Sequence, residues 1–88
     1  MLTKEIFVSN TLGIHARPAA LIVQTAGPFD CEVVLEKDGA AANAKSIMSV
    51  MMLAAACKTK IVIKASGKDE EKAVEALVKL FESKFNEV

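Results

Sequence analysis

The sequence predicts an α/β two-layer fold of the α+β kind, in which three helices cover one side of a small, mainly antiparallel sheet. Three observations carry this expectation. Period-two and helical apolar patterns succeed one another as strand, helix, strand, strand, helix, strand, helix. Asp38-Gly39, between the second and third strands, offers the pair of positive φ angles that a tight antiparallel hairpin needs. Each helical stretch owns a single apolar stripe, so all three are expected on one side of the sheet, with the other side left to water.

In chain order, "KEIFVSN" alternates around Ile6 and Val8, is rich in strand formers and ends at the polar Ser9-Asn10-Thr11. "ARPAALIVQTAG" changes to a helical period at Ala16. Pro18 falls in its first turn, where no intrahelical N–H is lost, and Gly27-Pro28 supplies a stop after about three turns. "CEVVLEK" puts Cys31, Val33 and Leu35 on one face and Glu32, Val34 and Glu36 on the other, and "AAANA" is the return strand of the hairpin. Ser46 can cap a second, short helix through "KSIMSVMML", its hydroxyl accepting from an N–H two or three residues on. "KIVIKA" alternates Ile61 and Ile63 against Val62 and Lys64. In "DEEKAVEALVKLFESKFNEV", Asp69, Glu70 and Glu71 oppose the positive end of the helix dipole, and Val74, Leu77, Val78, Phe81 and Phe85 form one buried stripe.

Composition narrows the function. At 88 residues, 52% hydrophobic and 25% charged, the chain is expected to form a single packed domain over residues 1–88. Eleven basic residues balance eleven acidic ones, which leaves no field of one sign to gather nucleic acid or anionic lipid. No membrane insertion is expected, because the longest apolar run, "SIMSVMMLAAAC", is much too short to span a bilayer. Cys31 and Cys57 match neither a CxxC redox pair nor a zinc knuckle, and the start of the chain has no signal-peptide pattern, so a reduced, cytoplasmic protein is expected. Neither metal nor cofactor is expected, since His15, Cys31 and Cys57 offer no short-range chelating pair and no Gly-rich phosphate or dinucleotide loop is present.

The chemistry concentrates in "GIHARPAA". His15 and Arg17 are the only histidine and the only arginine of the chain. A lone histidine is as a rule a surface or packing residue. His15, however, stands immediately before a helix, where unpaired N–H groups and the positive end of a dipole converge and phosphate binds readily. Arg17 can fork onto phosphate oxygens where a lysine would supply a point charge, and Gly13 lets the approaching loop bend. A neutral imidazole can attack a phosphoryl group. One arginine and a helix end then suit a carrier that must give the phosphate up again. An enzyme is not expected, because there is no second histidine to relay protons and too little chain for a deep pocket.

Two motifs in register, "GIHARPAA" and "AKSIMSVMMLA", resemble the signatures of the histidine-containing phosphocarrier (HPr) family of the bacterial phosphoenolpyruvate-dependent sugar phosphotransferase system. Element order and length match over essentially the whole chain. The resemblance implies an open-faced β-sandwich, a four-stranded antiparallel sheet in the order 1-4-2-3 covered on one face by three helices. It implies that His15 is the phosphoryl acceptor, on a ring nitrogen the sequence leaves open, that Arg17 neutralises the phosphate, and that the backbone of Ala16 and Arg17 holds it. Enzyme I would load the carrier and enzyme IIA domains unload it. Ser46 matches a position phosphorylated for regulation by a dedicated ATP-dependent kinase, the HPr kinase/phosphorylase, with a transcriptional regulator as a further partner; a plain helix N-cap is the competing reading. By the same analogy Ala20, Ile47, Met48 and Met51 face partners while Val50 and Leu53 face the core. A monomer is the default. The chain departs from the family at Ser49, where glycine or lysine is frequent, at Ala54, where glycine is, and at Gly27-Pro28, where a small or basic residue precedes the second strand. With Gln24, Gly27 and Ser49 uncharged, electrostatic steering to acidic partners should be weaker. Two rivals stay open: a regulatory phosphocarrier, nitrogen-type or signalling, uncoupled from sugar transport, and a non-catalytic interaction module in which His15 and Arg17 merely cap a helix and contact a partner.

Overall fold

Alternation and hairpin chemistry build the sheet. A computed structural model describes residues 1–86; Glu87 and Val88, the end of the last expected helical segment, lie outside the described residues. The elements are β1 (Leu2–Phe7), α1 (Ala16–Ala26), β2 (Glu32–Lys37), β3 (Ala40–Asn43), α2 (Ile47–Met52), β4 (Lys60–Ser66) and α3 (Glu70–Glu82), followed by a 3-10 turn over Lys84–Asn86. The strands form one antiparallel sheet in the order β1-β4-β2-β3. Asp38 and Gly39 take φ of 49° and 85°, the two positive angles of a primed hairpin turn, and close the ladder at the Lys37–Ala40 pair. β1 opens two residues earlier than "KEIFVSN" suggests and stops at Phe7, with Val8 exchanging backbone bonds with Lys58 and Thr59 instead of continuing the register.

Alternate residues point inward under the helices. Val33 and Leu35 of β2 and Ile61, Ile63 and Ala65 of β4 are buried against Ile22, Leu77 and Phe81. Fully burying each large side chain contributes about 1.5–3 kcal/mol. The opposite face of the sheet meets solvent and carries ion pairs such as Lys64–Glu36 at 2.7 Å and Lys60–Glu5 at 3.8 Å. The three helices thus share one side, as the patterning predicts.

Helix ends depart from the sequence expectations in three places. α1 does stop before Gly27-Pro28, but Gly27 keeps a right-handed φ of −56°, so the glycine is not used for a left-handed cap; the chain ends its helix where Pro28 has no N–H to continue it. At the start of α3 the Asp69 carboxylate makes no cap bond. It accepts instead from the backbone N–H groups of Asp30 and Cys31, at 2.8 and 2.9 Å, and ties α3 to the entry of β2. α3 ends at Glu82, where the Ser83 hydroxyl donates to the Leu80 carbonyl at 2.7 Å. Lys84, Phe85 and Asn86 then run left-handed, and Phe85 reaches the core through this reversal, its ring edge-on to Phe81 with centroids 4.8 Å apart.

Candidate functional site

His15 is the N-cap residue of α1, with an extended backbone at φ −102° and ψ −163°. Its carbonyl accepts the Ala19 N–H at 2.9 Å, the first bond of the helix, while its half-buried imidazole makes no capping bond. Ala16 and Arg17 follow, both exposed. Helix geometry gives their N–H groups no intrahelical carbonyl. Pro18 has no N–H and is buried, so it fixes the first turn without adding a third donor. No acidic residue stands in that turn, and Ala16 and Arg17 at the positive end of the helix are open to solvent.

The loop that delivers His15 is held from below. Gly13 has φ +73°, and a Cβ there would stand 2.5 Å from the Ala55 carbonyl oxygen. Ile14 donates to that same oxygen at 2.8 Å, so the histidine loop lies against the turn that follows α2. Lys37 of β2 secures this turn, its Nζ donating to the carbonyls of Leu53 at 2.9 Å and Ala54 at 3.3 Å. Gly13 also binds Asn10, whose side-chain amide donates to its carbonyl at 2.7 Å. The sequence reading passed over Asn10 as a polar strand end, although Asn followed by Gly three residues on is a turn signal. Nothing in the sequence marked Ala55.

α2 packs against α1, and its C-terminal end adjoins the His15 loop through Ala55. Val50 and Leu53 are buried, while Ile47, Met48, Met51 and Met52 are exposed, Met48 and Met52 to 72% and 80%. Ala20 on α1 is half-buried. Leu12, at the loop tip, is a further exposed apolar side chain. Ser46 caps α2, its Oγ accepting the Ser49 N–H at 3.4 Å. It stands at the end of α2 remote from the His15 loop, roughly 9 Å along the helix axis.

Of the two cysteines, Cys57 follows Ala56 in the turn beside the His15 loop, and Cys31 immediately precedes β2. Cys31 is buried with its thiol pushed up by desolvation and by the neighbouring Asp69, and Cys57 is half-buried; both are free thiols. Asp69 is held below the usual carboxylate range, chiefly by the Asp30 N–H. Among the described residues no helix is long and apolar enough to cross a membrane.

A four-stranded antiparallel sheet under three helices, with a histidine at the start of the first of them, makes an open-faced sandwich. Comparison with known proteins gives the family itself. The sequence model described as "PTS HPr component phosphorylation site" matches residues 2–83. Over 87 residues the chain is 47% identical to the phosphocarrier protein HPr of Treponema pallidum, covering 99% of each. It is 47% identical over 77 residues to the HPr-like protein Crh of Bacillus subtilis, covering 88% of this chain and 91% of that protein. The crystal structure of HPr-C-His from Thermoanaerobacter tengcongensis superposes with a TM-score of 0.96 at 48% identity, covering 100% of this chain and 99% of that one. The chain belongs to the HPr family, the phosphocarrier proteins of the phosphotransferase system.

Proposed function

We propose that the chain carries a phosphoryl group on His15, received from enzyme I with phosphoenolpyruvate as the source and passed to enzyme IIA domains in sugar uptake. The observation that supports this best is the placement of His15 at the N-cap of α1, beside the N–H groups of Ala16 and Arg17 and the exposed Arg17 side chain. A neutral ring nitrogen attacks phosphorus, a P–N bond forms as the donor's bond to phosphorus breaks, and the ring's N–H proton passes to solvent. The Ala16 and Arg17 N–H groups donate to phosphate oxygens and the guanidinium neutralises their charge. Few donors on an open surface hold the group loosely enough for it to move on.

Partners then dock across Ala20, Ile47, Met48 and Met51, where methionine adapts to unrelated surfaces. The chain acts in the cytoplasm as a monomer and one domain over residues 1–88, with neither metal nor cofactor. The likeness to Crh favours a second reading, a regulatory carrier uncoupled from sugar transport. In either branch an HPr kinase/phosphorylase acts on Ser46, where the added charge is tolerated by the helix N-terminus and is read by a transcriptional regulator at the adjoining Ile47 and Met48.

Intact-protein mass spectrometry after incubation with phosphoenolpyruvate, magnesium and a cognate enzyme I tests the reading. One phosphoryl mass is expected on wild type and none on His15→Ala, with the label lost on brief acid treatment. Equal labelling of His15→Ala, or an acid-stable label that vanishes in Ser46→Ala alone, contradicts it. Absence of label with the cognate enzyme leaves the interaction module.

A further inference from the structure

We propose that Asn10 is a positioning residue for His15, its buried amide clamping the Gly13 carbonyl and so fixing the turn from which the histidine enters α1. This rests on the reading of His15 as the phosphoryl acceptor. Asn10 is the one buried polar or charged residue among the described residues, with 0% exposure. Burying an amide is unfavourable unless it is hydrogen-bonded, so an apolar side chain would serve better if filling space were the whole task.

Both backbone polar groups of Gly13 are bound by Asn10. The Gly13 N–H donates to the Asn10 backbone carbonyl at 3.2 Å, and the Asn10 Nδ2 donates to the Gly13 carbonyl at 2.7 Å. That carbonyl also receives the His15 N–H at 3.2 Å. His15 is therefore fixed on one side by a peptide held at its carbonyl by Asn10 and at its Ile14 N–H by Ala55, and on the other by the Ala19 bond of α1. Its own N–H is turned back into the loop, which leaves the N–H groups of Ala16 and Arg17 at the mouth of the helix. Without the amide, the Gly13 carbonyl keeps only the 3.2 Å bond from the His15 N–H, while the Ile14 N–H of the same peptide stays on the Ala55 carbonyl at 2.8 Å; a tilt of the peptide about that anchored end swings the imidazole relative to those donors. A displacement of about 1 Å is enough to slow a reaction of this kind by up to about a hundred-fold.

The test compares wild type, Asn10→Ala and Val74→Ala, the last a cavity in α3 remote in sequence from the loop, at a temperature where all are folded. With enzyme I and phosphoenolpyruvate, Asn10→Ala should lower the maximal rate of His15 phosphorylation by about ten-fold or more with little change in the half-saturating carrier concentration, and Val74→Ala should remain near wild type. A second arm uses potassium phosphoramidate, which docks nowhere: a His15 ring nitrogen bonds phosphorus, the donor's P–N bond breaks, ammonia leaves and the ring's N–H proton goes to solvent. The same ordering is expected. Equal rates for the two variants in both arms overturn the proposal. If enzyme I fails to label wild type, the acceptor reading falls, yet a slower Asn10→Ala with phosphoramidate still assigns Asn10 the placement of His15, and equal rates there reject it. Should Asn10→Ala not fold, Asn10→Leu, similar in shape but without a donor, takes its place under the same criteria.

Discussion

Replacing Gly13 by alanine should damage stability and function together, and the size of the effect can be worked from the loop. At φ +73° an L-residue costs about 1–2 kcal/mol. The new Cβ would lie 2.5 Å from the Ala55 oxygen and 3.0 Å from the Ala56 Cα, both backbone atoms, so no change of rotamer relieves the contact. The loop must withdraw from the turn after α2, and the 2.8 Å bond from Ile14 to Ala55 is what it gives up, worth about 1 kcal/mol. Alanine recovers about 0.5–1 kcal/mol by restricting the unfolded chain. The balance is a loss of about 2 kcal/mol, which lowers the melting temperature of a domain this size by roughly 10 °C. Circular dichroism melting measures the first effect. Phosphorylation by enzyme I, at a temperature where the variant is folded, measures the second and should fall as well. A variant melting within about 2 °C of wild type would refute the reasoning, because it would mean that the two loops separate without cost.

Three further outcomes are expected. Ala54→Gly should raise stability by about 0.5–1 kcal/mol, a few degrees of melting temperature, because Ala54 sits at φ 51° where glycine is not strained; an unchanged or lower melting point counts against this. Phe85→Ala should cost about 3 kcal/mol in urea unfolding, toward the lower end for an aromatic deletion because it also releases a left-handed turn. Asp69, whose folded pKa is depressed below its unfolded value, contributes stability that is present above the unfolded value and lost as pH falls through the folded one. Asp69→Asn, able to accept from only one of the Asp30 and Cys31 N–H groups, should therefore be less stable at neutral pH and show a flatter acid limb in melting temperature against pH; parallel limbs would remove Asp69 as the cause.

The elements that were legible are those in which local and global signals agree. β4 alternates cleanly because one face lies under helices and the other meets water, and Asp38-Gly39 adopts the two positive φ angles its residue types favour. Ser46 was readable as a cap because capping chemistry is local. What escaped depends on contacts distant in sequence. Asp69 looks like a helix-dipole residue, but the Asp30 and Cys31 N–H groups that claim it stand 39 and 38 positions away. Phe85 keeps the helical spacing of the stripe while the helix itself stops three residues earlier, so spacing identified the buried residue and misjudged the path to it. Around His15 the helix start was legible, whereas Asn10 was passed over and Ala55 unmarked, because their meaning appears only when the turn after α2 is brought beside the loop.

The same arrangement explains why the site and the core can be altered separately. α2 reaches the core with Val50, joined by its C-cap residue Leu53, and the Met48 and Met52 side chains add little to folding because they remain 72% and 80% exposed. A helix of six residues that keeps Met48 and Met52 largely exposed is not organised for its own stability alone, whereas Ile47 and Met51, at 43% and 40% exposure, still bury more than half of their surface. At His15 the division runs through a single residue: its carbonyl starts α1 and its N–H closes the loop, while the imidazole makes no capping bond to α1. On the proposed reading, His15→Ala removes the acceptor nitrogen and leaves both of these backbone bonds in place. A change at Gly13, which touches the backbone on both sides of that division, must affect both.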